Sequence, residues 1–315
     1  MKAIVYTKYG PPDVLQLKEI EKPTPTDDEV LIRVHAASVN AYDWHAMRGK
    51  PFLVRLMGFG LLKPKNKILG ADIAGRVEAV GRKVKQFQPG DEVLGTIRGG
   101  FAEYACAREK SLALKPANLT FEEAAAVPMA ALTALQGLRD KGQIQAGQKV
   151  LINGASGGVG TFAVQIARSF ETEVTGVCST TKMDLVRSIG ADPVIDYTRE
   201  DVTKNKQQYD LIFDIAAYRS ISEYKRILSP SGIYVLAGGS VARMFQLMFL
   251  SMIGVKNRRF IFANINQKDL LFITELINLG KVRSIIDKRY PLDETAEALR
   301  YLEEGHARGK VVITV

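Results

Sequence analysis

Apolar positions recur with two different periods along this chain, and the change of period divides it. Up to residue 122 the runs are short: apolar stretches at 2–7, 15–20, 29–38, 71–80, 92–96 and 102–108 are separated by breakers such as Gly10-Pro11-Pro12 and Pro89-Gly90-Asp91. Alternation with a period of two marks half-buried strands, and the breakers mark turns. A small, mostly β domain is predicted. Residues 119–134 then read as a helix, with Thr120 as its cap and Glu122 and Glu123 in the first turn. A further helix precedes Gly147.

From there the pattern becomes strand, turn, helix. Val150, Leu151 and Ile152 form the short apolar run of a strand buried on both faces of a parallel sheet. Gly154, Gly157, Gly158 and Gly160 follow at once, and Val159, Phe162, Ala163, Ile166 and Phe170 recur at helical spacing. A strand at 173–178, a helix at 182–189 closed by Gly190 and a short strand at 193–195 complete a βαβαβ unit. Its second half reads as a strand at 210–214, a helix at 217–228, a strand at 232–237 ending at Gly238-Gly239, and a sixth strand at 259–263. A helix at 267–279, a strand at 288–290, a helix opened by Asp293-Glu294 and a last strand at 310–315 end the chain. The predicted class is α/β: a Rossmann doubly wound parallel sheet plus a mostly β domain, to which the spacing of the tail fits a return.

A strand, a glycine-rich turn and a helix in that order can bind a pyrophosphate. Glycines let the backbone approach the ligand, and the first helical N–H groups point at the anion. The spacing here is G-x-x-G-x-x-G over Gly154, Gly157 and Gly160, so the motif also fits a glycine-rich connection in another α/β protein. Where an NAD-binding unit presents Asp or Glu at the end of its second strand, this chain has Ser179, followed by Thr180, Thr181 and Lys182. Hydroxyls and an ammonium favour a 2′-phosphate, and the sequence shows no carboxylate there to repel it, so NADPH is expected. The lesser alternative is that Lys182 is an ordinary solvated helix residue and Tyr197 a packing residue.

Composition narrows the classes. At 315 residues the chain is long enough for two cores. Its net charge of +9 raises nucleic-acid binding, but the cations are scattered apart from Lys256, Arg258 and Arg259, and no stacking platform is visible. An anionic cofactor accounts for the charge, and no nucleic-acid partner is expected. Two cysteines, Cys106 and Cys178, fit a reducing, cytoplasmic location. The N-terminal residues start a strand rather than a leader, and no apolar window is long enough to cross a bilayer. The apolar stretch at 244–255 reads as a sheet-covering helix, a dimer face or a membrane-surface contact.

Several motifs in one order resemble the medium-chain dehydrogenase/reductase superfamily, in its zinc-free quinone oxidoreductase (zeta-crystallin-like) branch. They are SVNAYD (38–43), VEAVGRKVKQFQPGDEV (77–93, a GroES-like signature), ALTALQGL (131–138), GASGGVG (154–160) and GHARGKVVI (305–313). The resemblance implies a GroES-like catalytic domain at 1–122, completed by 265–315, a Rossmann NADP-binding domain at 123–264, and a cofactor in the cleft between them. It implies a homodimer and NADPH-dependent hydride transfer to quinones or α,β-unsaturated carbonyl compounds. The alternatives are a non-catalytic NADPH-binding sensor, structural or RNA-binding protein, and zinc-type alcohol oxidation.

Zinc members of the superfamily place Cys where this chain has Asn40, and Gly-His-Glu where it has Gly70-Ala71-Asp72. A catalytic zinc needs three N, S or O ligands, and His35, His45 and His306 make no ligand spacing. No metal is expected. By the same resemblance Asn40 and Thr133 lie near the nicotinamide and Tyr197 touches the 2′-phosphate that Ser179, Thr180 and Lys182 are expected to bind, while the loop residues Gly154, Ser156, Gly157, Gly158, Val159 and Gly160 are the candidates for the pyrophosphate. Phe262 and Asn264 are candidates to flank the nicotinamide, Gly238 is a further cofactor-binding candidate, and Arg308 either pairs with the pyrophosphate or is a surface arginine. Asn40, Tyr42 and His45 are the candidate catalytic residues, an imidazole being able to supply the proton that follows the hydride. Asp43, beside Trp44, reads as a capping or turn carboxylate.

Overall fold

The computed structural model describes residues 1–52, 54–238, 243, 247 and 257–315. They form two compact units: Met1–Ala130 with Ile265–Asn278 and Ser284–Val315, and Ala131–Asn264 with Leu279–Arg283.

In the first unit, β1 (Lys2–Val5) pairs antiparallel with β2 (Gln16–Glu19). The larger sheet is built on β3 (Glu29–Val39), where Val30, Ile32, Val34 and Ala36 are all buried. Antiparallel to it run β4 (Asp72–Val80) and β6 (Tyr104–Arg108), and β4 continues through β5 (Glu92–Thr96) to β7 (Leu112–Leu114). The first core packs Ile32, Val34, Ile73, Val77, Phe101 and Leu112. Two helices stand where one was predicted at 119–134: Phe121–Ala125 and Pro128–Gln136. Pro128 causes the break, because inside a continuous helix its ring would strike the carbonyl four residues back. Thr120 does cap the first of them, taking the Glu123 N–H while Glu123 takes its own.

The second unit is a six-stranded parallel sheet. Its strands are β8 (Lys149–Asn153), β9 (Glu173–Cys178), β10 (Val194–Asp196), β11 (Tyr209–Asp214), β12 (Leu228–Leu236) and β13 (Arg258–Phe260), in the spatial order β10-β9-β8-β11-β12-β13. This is the doubly wound order, with its switch point between β8 and β11. Val150, Leu151 and Ile152 are fully buried, as a strand covered on both faces requires. The helix expected at 217–228 is one turn, Ile221–Tyr224. Ala217 takes a left-handed φ of 54°, Ser220 caps the turn, and Leu228 already belongs to β12. The strand predicted to end at Gly238-Gly239 ends at Leu236. Gly239, and the apolar stretch at 244–255 apart from the buried Leu247, lie outside the described residues.

The tail re-enters the first unit. β14 (Ile286–Pro291) runs parallel to β15 (Lys310–Thr314), and β15 pairs antiparallel with β3, setting Val311 opposite Val39. The end of the chain thereby reaches the segment that carries Asn40.

Candidate active site

Below β3, Asn40 precedes the helix Ala41–Arg48, and the Asp43 carboxylate accepts the Asn40 N–H at 2.9 Å. Asp43 is therefore a capping carboxylate, as its place in the sequence predicts, and it also accepts the Gly70 N–H at 3.1 Å. Around Asn40 a polar cluster closes. Its Nδ2 donates to Asp72 at 2.9 Å and to the Ser38 carbonyl at 3.3 Å, while its Oδ1 accepts from Lys310 Nζ at 2.6 Å. Asp72 further accepts the Ser38 hydroxyl at 3.1 Å and the Met129 N–H at 3.0 Å, and its Oδ2 stands 3.7 Å from Lys310 Nζ. Asp43 and Asp72 are fully buried and Lys310 is 3 % exposed. Burial raises both carboxyls, Asp43 to about 7, and lowers the Lys310 ammonium; Lys310 opposes the shift at Asp72, and the two aspartates oppose it at Lys310. The sequence marks Asp72 only within the Gly70-Ala71-Asp72 run and does not mark Lys310, because the two meet only when β15 docks on β3.

Tyr42 is exposed and lines a cleft with Tyr6, Phe59, Gly70 and Arg98. Burial pushes its phenol above the usual value, so it is protonated at neutral pH. His45 packs edge-on against Trp44, and its Nδ1 donates to the Lys50 carbonyl at 2.8 Å. A carbonyl can only accept, so the proton sits on Nδ1. In the same unit Arg308 is exposed and its N–H donates to Asp287 at 2.8 Å.

In the second unit the glycine loop follows β8. Gly154 takes a φ of 85°, open to glycine and costly for other residues. A Cβ on Gly160 would meet the Gly154 carbonyl oxygen at 2.0 Å, so helix and loop approach only because that side chain is missing. The first intrahelical bond of Gly158–Ser169 runs from the Thr161 N–H to the Gly157 carbonyl at 2.9 Å. The N–H groups of Gly158, Val159 and Gly160 precede it, and this is the arrangement that receives an anion. Ser156 is buried in the loop. At the switch point Asp214 accepts from Asn153 Nδ2 and the Tyr234 hydroxyl, each at 2.7 Å, which ties β8, β11 and β12 together.

At the end of β9 the structure brings Thr180 to a partner the sequence did not predict. The Thr180 hydroxyl donates to Asp196, which pairs opposite Cys178 at the end of β10. The expectation of no carboxylate at this edge is thus corrected. Asp196 lies 16 residues beyond Thr180, and the β9–β10 register delivers it. The hydroxyl of Thr180, with the hydroxyl and N–H of Thr198 and the Arg199 guanidinium, holds Asp196 below the usual carboxylate range. Ser179 and Lys182 are half-buried on the same turn. Tyr197 is exposed, its ring 6.2 Å from that of Tyr218. Both rings line a cavity of about 540 Å³ with Asn153, Val177 and Arg219. Gly238 follows β12 with a φ of 105°. Phe262 is exposed and edge-on to Phe260. Asn264 is clamped through its backbone: its N–H donates to Gln136 Oε1 at 2.8 Å and its carbonyl accepts from Gln136 Nε2 at 2.7 Å. Gln136 is on the same helix as the half-buried Thr133.

Two family profiles match the chain: an alcohol dehydrogenase GroES-like domain over residues 26–117, and a zinc-binding dehydrogenase over residues 189–313. The chain is 35 % identical to 2-methylene-furan-3-one reductase of Solanum lycopersicum, over 99 % of this chain and 79 % of that protein. It has the same identity and coverage with the chloroplastic NADPH-dependent alkenal/one oxidoreductase of Arabidopsis thaliana. The structure of the quinone oxidoreductase from Coxiella burnetii superposes with a TM-score of 0.89 at 31 % identity, covering 100 % of this chain and 99 % of that one.

The second profile's name implies zinc, and the residues present do not fit it. Among the described residues no three His, Cys, Asp or Glu side chains come together. Asn40, at the position where zinc relatives carry Cys, and Asp72, at that of their Glu, share the ammonium of Lys310.

Proposed function

The chain belongs to the medium-chain dehydrogenase/reductase superfamily, and we propose that within it this protein is a zinc-independent, NADPH-dependent reductase of quinones or α,β-unsaturated carbonyl compounds. The observation that carries the reading is the Lys310–Asn40–Asp72 cluster, which fills with a fixed ammonium the place a metal site would need. The relatives named above as reductases of an enone, of alkenals and enones, and of quinones supply the substrate class.

When bound, the dinucleotide supplies a hydride for a polarised conjugated acceptor. The rest falls to the chain. The N–H groups of Gly158, Val159 and Gly160 hold the pyrophosphate, while Ser179, Thr180, Lys182 and Tyr197 surround the 2′-phosphate. Tyr197, Tyr218 and Arg219 form the walls of the adenosine end. Thr133, Gly238, Phe262 and Asn264 serve the nicotinamide end, Phe262 on a loop fixed by Gln136. Asn40, its amide engaged by Lys310, Asp72 and the Ser38 carbonyl, holds the start of the helix that presents Tyr42, and the protonated Tyr42 phenol donates the proton that follows hydride addition. His45, its Nδ1 proton spent on Lys50, supports the helix that presents Tyr42.

Among the described residues no helix is long and apolar enough to cross a membrane. The cytoplasmic location and the homodimer belong to the same proposal and are checked by cell fractionation and sedimentation equilibrium. The decisive assay follows NADPH and NADH oxidation with a benzoquinone and with a short alkenal, before and after chelator treatment. Chelator-resistant turnover with NADPH is expected. Stoichiometric zinc lost together with activity would overturn the reading.

A further inference from the structure

Between Asp43 and Asp72, residues 44–70 contain no acidic side chain and six basic ones: Arg48, Lys50, Arg55, Lys63, Lys65 and Lys67. A segment with a net charge of +6 thus lies in a chain whose total is +9. Two of the six are internally engaged, Arg48 with Glu303 and Arg55 with the Gly49 carbonyl. Lys50, Lys63, Lys65 and Lys67 are exposed. The same segment exposes Phe52 (58 %), Leu56 (61 %), Leu61 (51 %) and Leu62 (88 %), and Leu62 is the most exposed large apolar side chain among the described residues.

Apolar side chains standing in water beside ammonium groups are unfavourable unless something covers them. A second copy of the chain would set two strongly positive segments against each other. A nucleic-acid backbone would satisfy the lysines and leave the leucines wet. An anionic lipid surface satisfies both, because apolar tips enter the headgroup boundary and flanking ammonium groups meet lipid phosphates. We propose that residues 50–67, through Phe52, Leu56, Leu61 and Leu62 with Lys50, Lys63, Lys65 and Lys67, dock this protein peripherally on anionic lipid bilayers. Phe59, in the same segment, lines the Tyr42 cleft with Asn66 and Ile68. Docking therefore brings that cleft to the bilayer, where lipid-dissolved quinones reside; this last step alone rests on the proposed function.

The test sediments the purified full chain with extruded vesicles of phosphatidylcholine, with and without phosphatidylglycerol. The protein is expected to pellet with the anionic vesicles, to stay in solution with phosphatidylcholine alone, and to be released as salt screens the lysines. Leu61→Asp/Leu62→Asp and Lys63→Glu/Lys65→Glu/Lys67→Glu are each expected to lower the bound fraction at least about tenfold. Turnover of a water-soluble benzoquinone and the melting temperature should stay unchanged. Leu62→Asp alone, at a position with almost no packing, is expected to weaken binding in the same direction. Equal recovery from anionic and neutral vesicles overturns the proposal. So does undiminished binding by the leucine variants, a dimer that Leu62→Asp dissociates, or a rise in KM for the soluble quinone with vesicle binding unchanged. Vesicle binding without turnover of any quinone or enone would count against the catalytic reading and leave the docking surface standing.

Discussion

Lys310 Nζ donates to Asn40 Oδ1 across 2.6 Å and 270 residues of chain. The ammonium is nearly sealed from water, with Asp72 its neighbouring counter-charge and Asp43 a second buried carboxyl close by. Removing one partner of such a cluster leaves a buried charge uncompensated, at a cost of about 3–5 kcal/mol. Lys310→Met is therefore expected to lower stability by that order in chemical denaturation. Lys310→Met/Asp72→Asn should recover a good part of the loss, because both members of the ion pair are then neutral; additive losses would show that the two residues do not form a unit.

The Asp43 carboxyl, raised to about 7 by burial, makes stability depend on pH in a stated direction. Its folded value exceeds the unfolded one of about 3.9. The folded state thus binds the extra proton, and the stabilisation it gives is complete below about pH 4 and is lost as pH rises through 7. Asp43→Asn should be less stable throughout, since one of the N–H groups of Asn40 and Gly70 loses its acceptor. Its stability between pH 4 and 7 should nonetheless fall less steeply than that of the wild type. Parallel pH profiles for the two proteins would refute the assignment.

Gly160 tests the loop. A Cβ there would lie 2.0 Å from the Gly154 carbonyl oxygen, a backbone atom that cannot turn aside, so Gly160→Ala must displace the loop or the helix. NADPH affinity is expected to fall tenfold or more, about 1.4 kcal/mol, with a stability loss of about 1–3 kcal/mol from overpacking. Gly157→Ala is the contrast: φ is −82° and its Cβ would stand 3.5 Å from the same oxygen, an ordinary contact. That variant should fold normally, and a binding loss in it would report close approach of the ligand. Titration calorimetry separates the two.

How far the sequence carried depended on whether the cause was local. β5 and β9 begin and end at the predicted residues because periodicity and flanking breakers act within a few positions. The helix expected at 217–228 failed where Ala217 turns left-handed and Ser220 offers a cap, since apolar spacing alone does not register a one-turn helix followed by a strand. The glycine loop was readable from its residues; the Lys310–Asn40–Asp72 cluster was not, because β15 must first pair with β3. Asp196 was missed for a similar reason, its meeting with Thr180 being created by parallel pairing of β9 and β10. Gln136, an unremarkable amide in the sequence, matters only once the loop after β13 folds back to it.

The Thr180–Asp196 contact leads to opposite effects from two neighbouring substitutions. Lys182 supplies a positive charge to the turn after β9, and Asp196 supplies a negative one that Arg199 offsets at 3.5 Å. A 2′-phosphate seated there gains from the ammonium and is opposed by the carboxylate. Lys182→Ala should weaken NADPH binding roughly tenfold, near the low end of the about 1.5–3 kcal/mol found for hydrogen bonds to charged groups, and leave NADH binding unchanged. Asp196→Asn keeps an acceptor for the Thr180 hydroxyl while removing the charge, so it should strengthen NADPH binding and barely alter NADH. Arg199→Ala, which strips the offsetting cation, should act in the direction of Lys182→Ala. Dissociation constants for both dinucleotides, measured at low and high salt, give the readout, with the differences shrinking as ions screen the site. If Lys182→Ala leaves the NADPH/NADH ratio where it was, the 2′-phosphate does not bind at this turn.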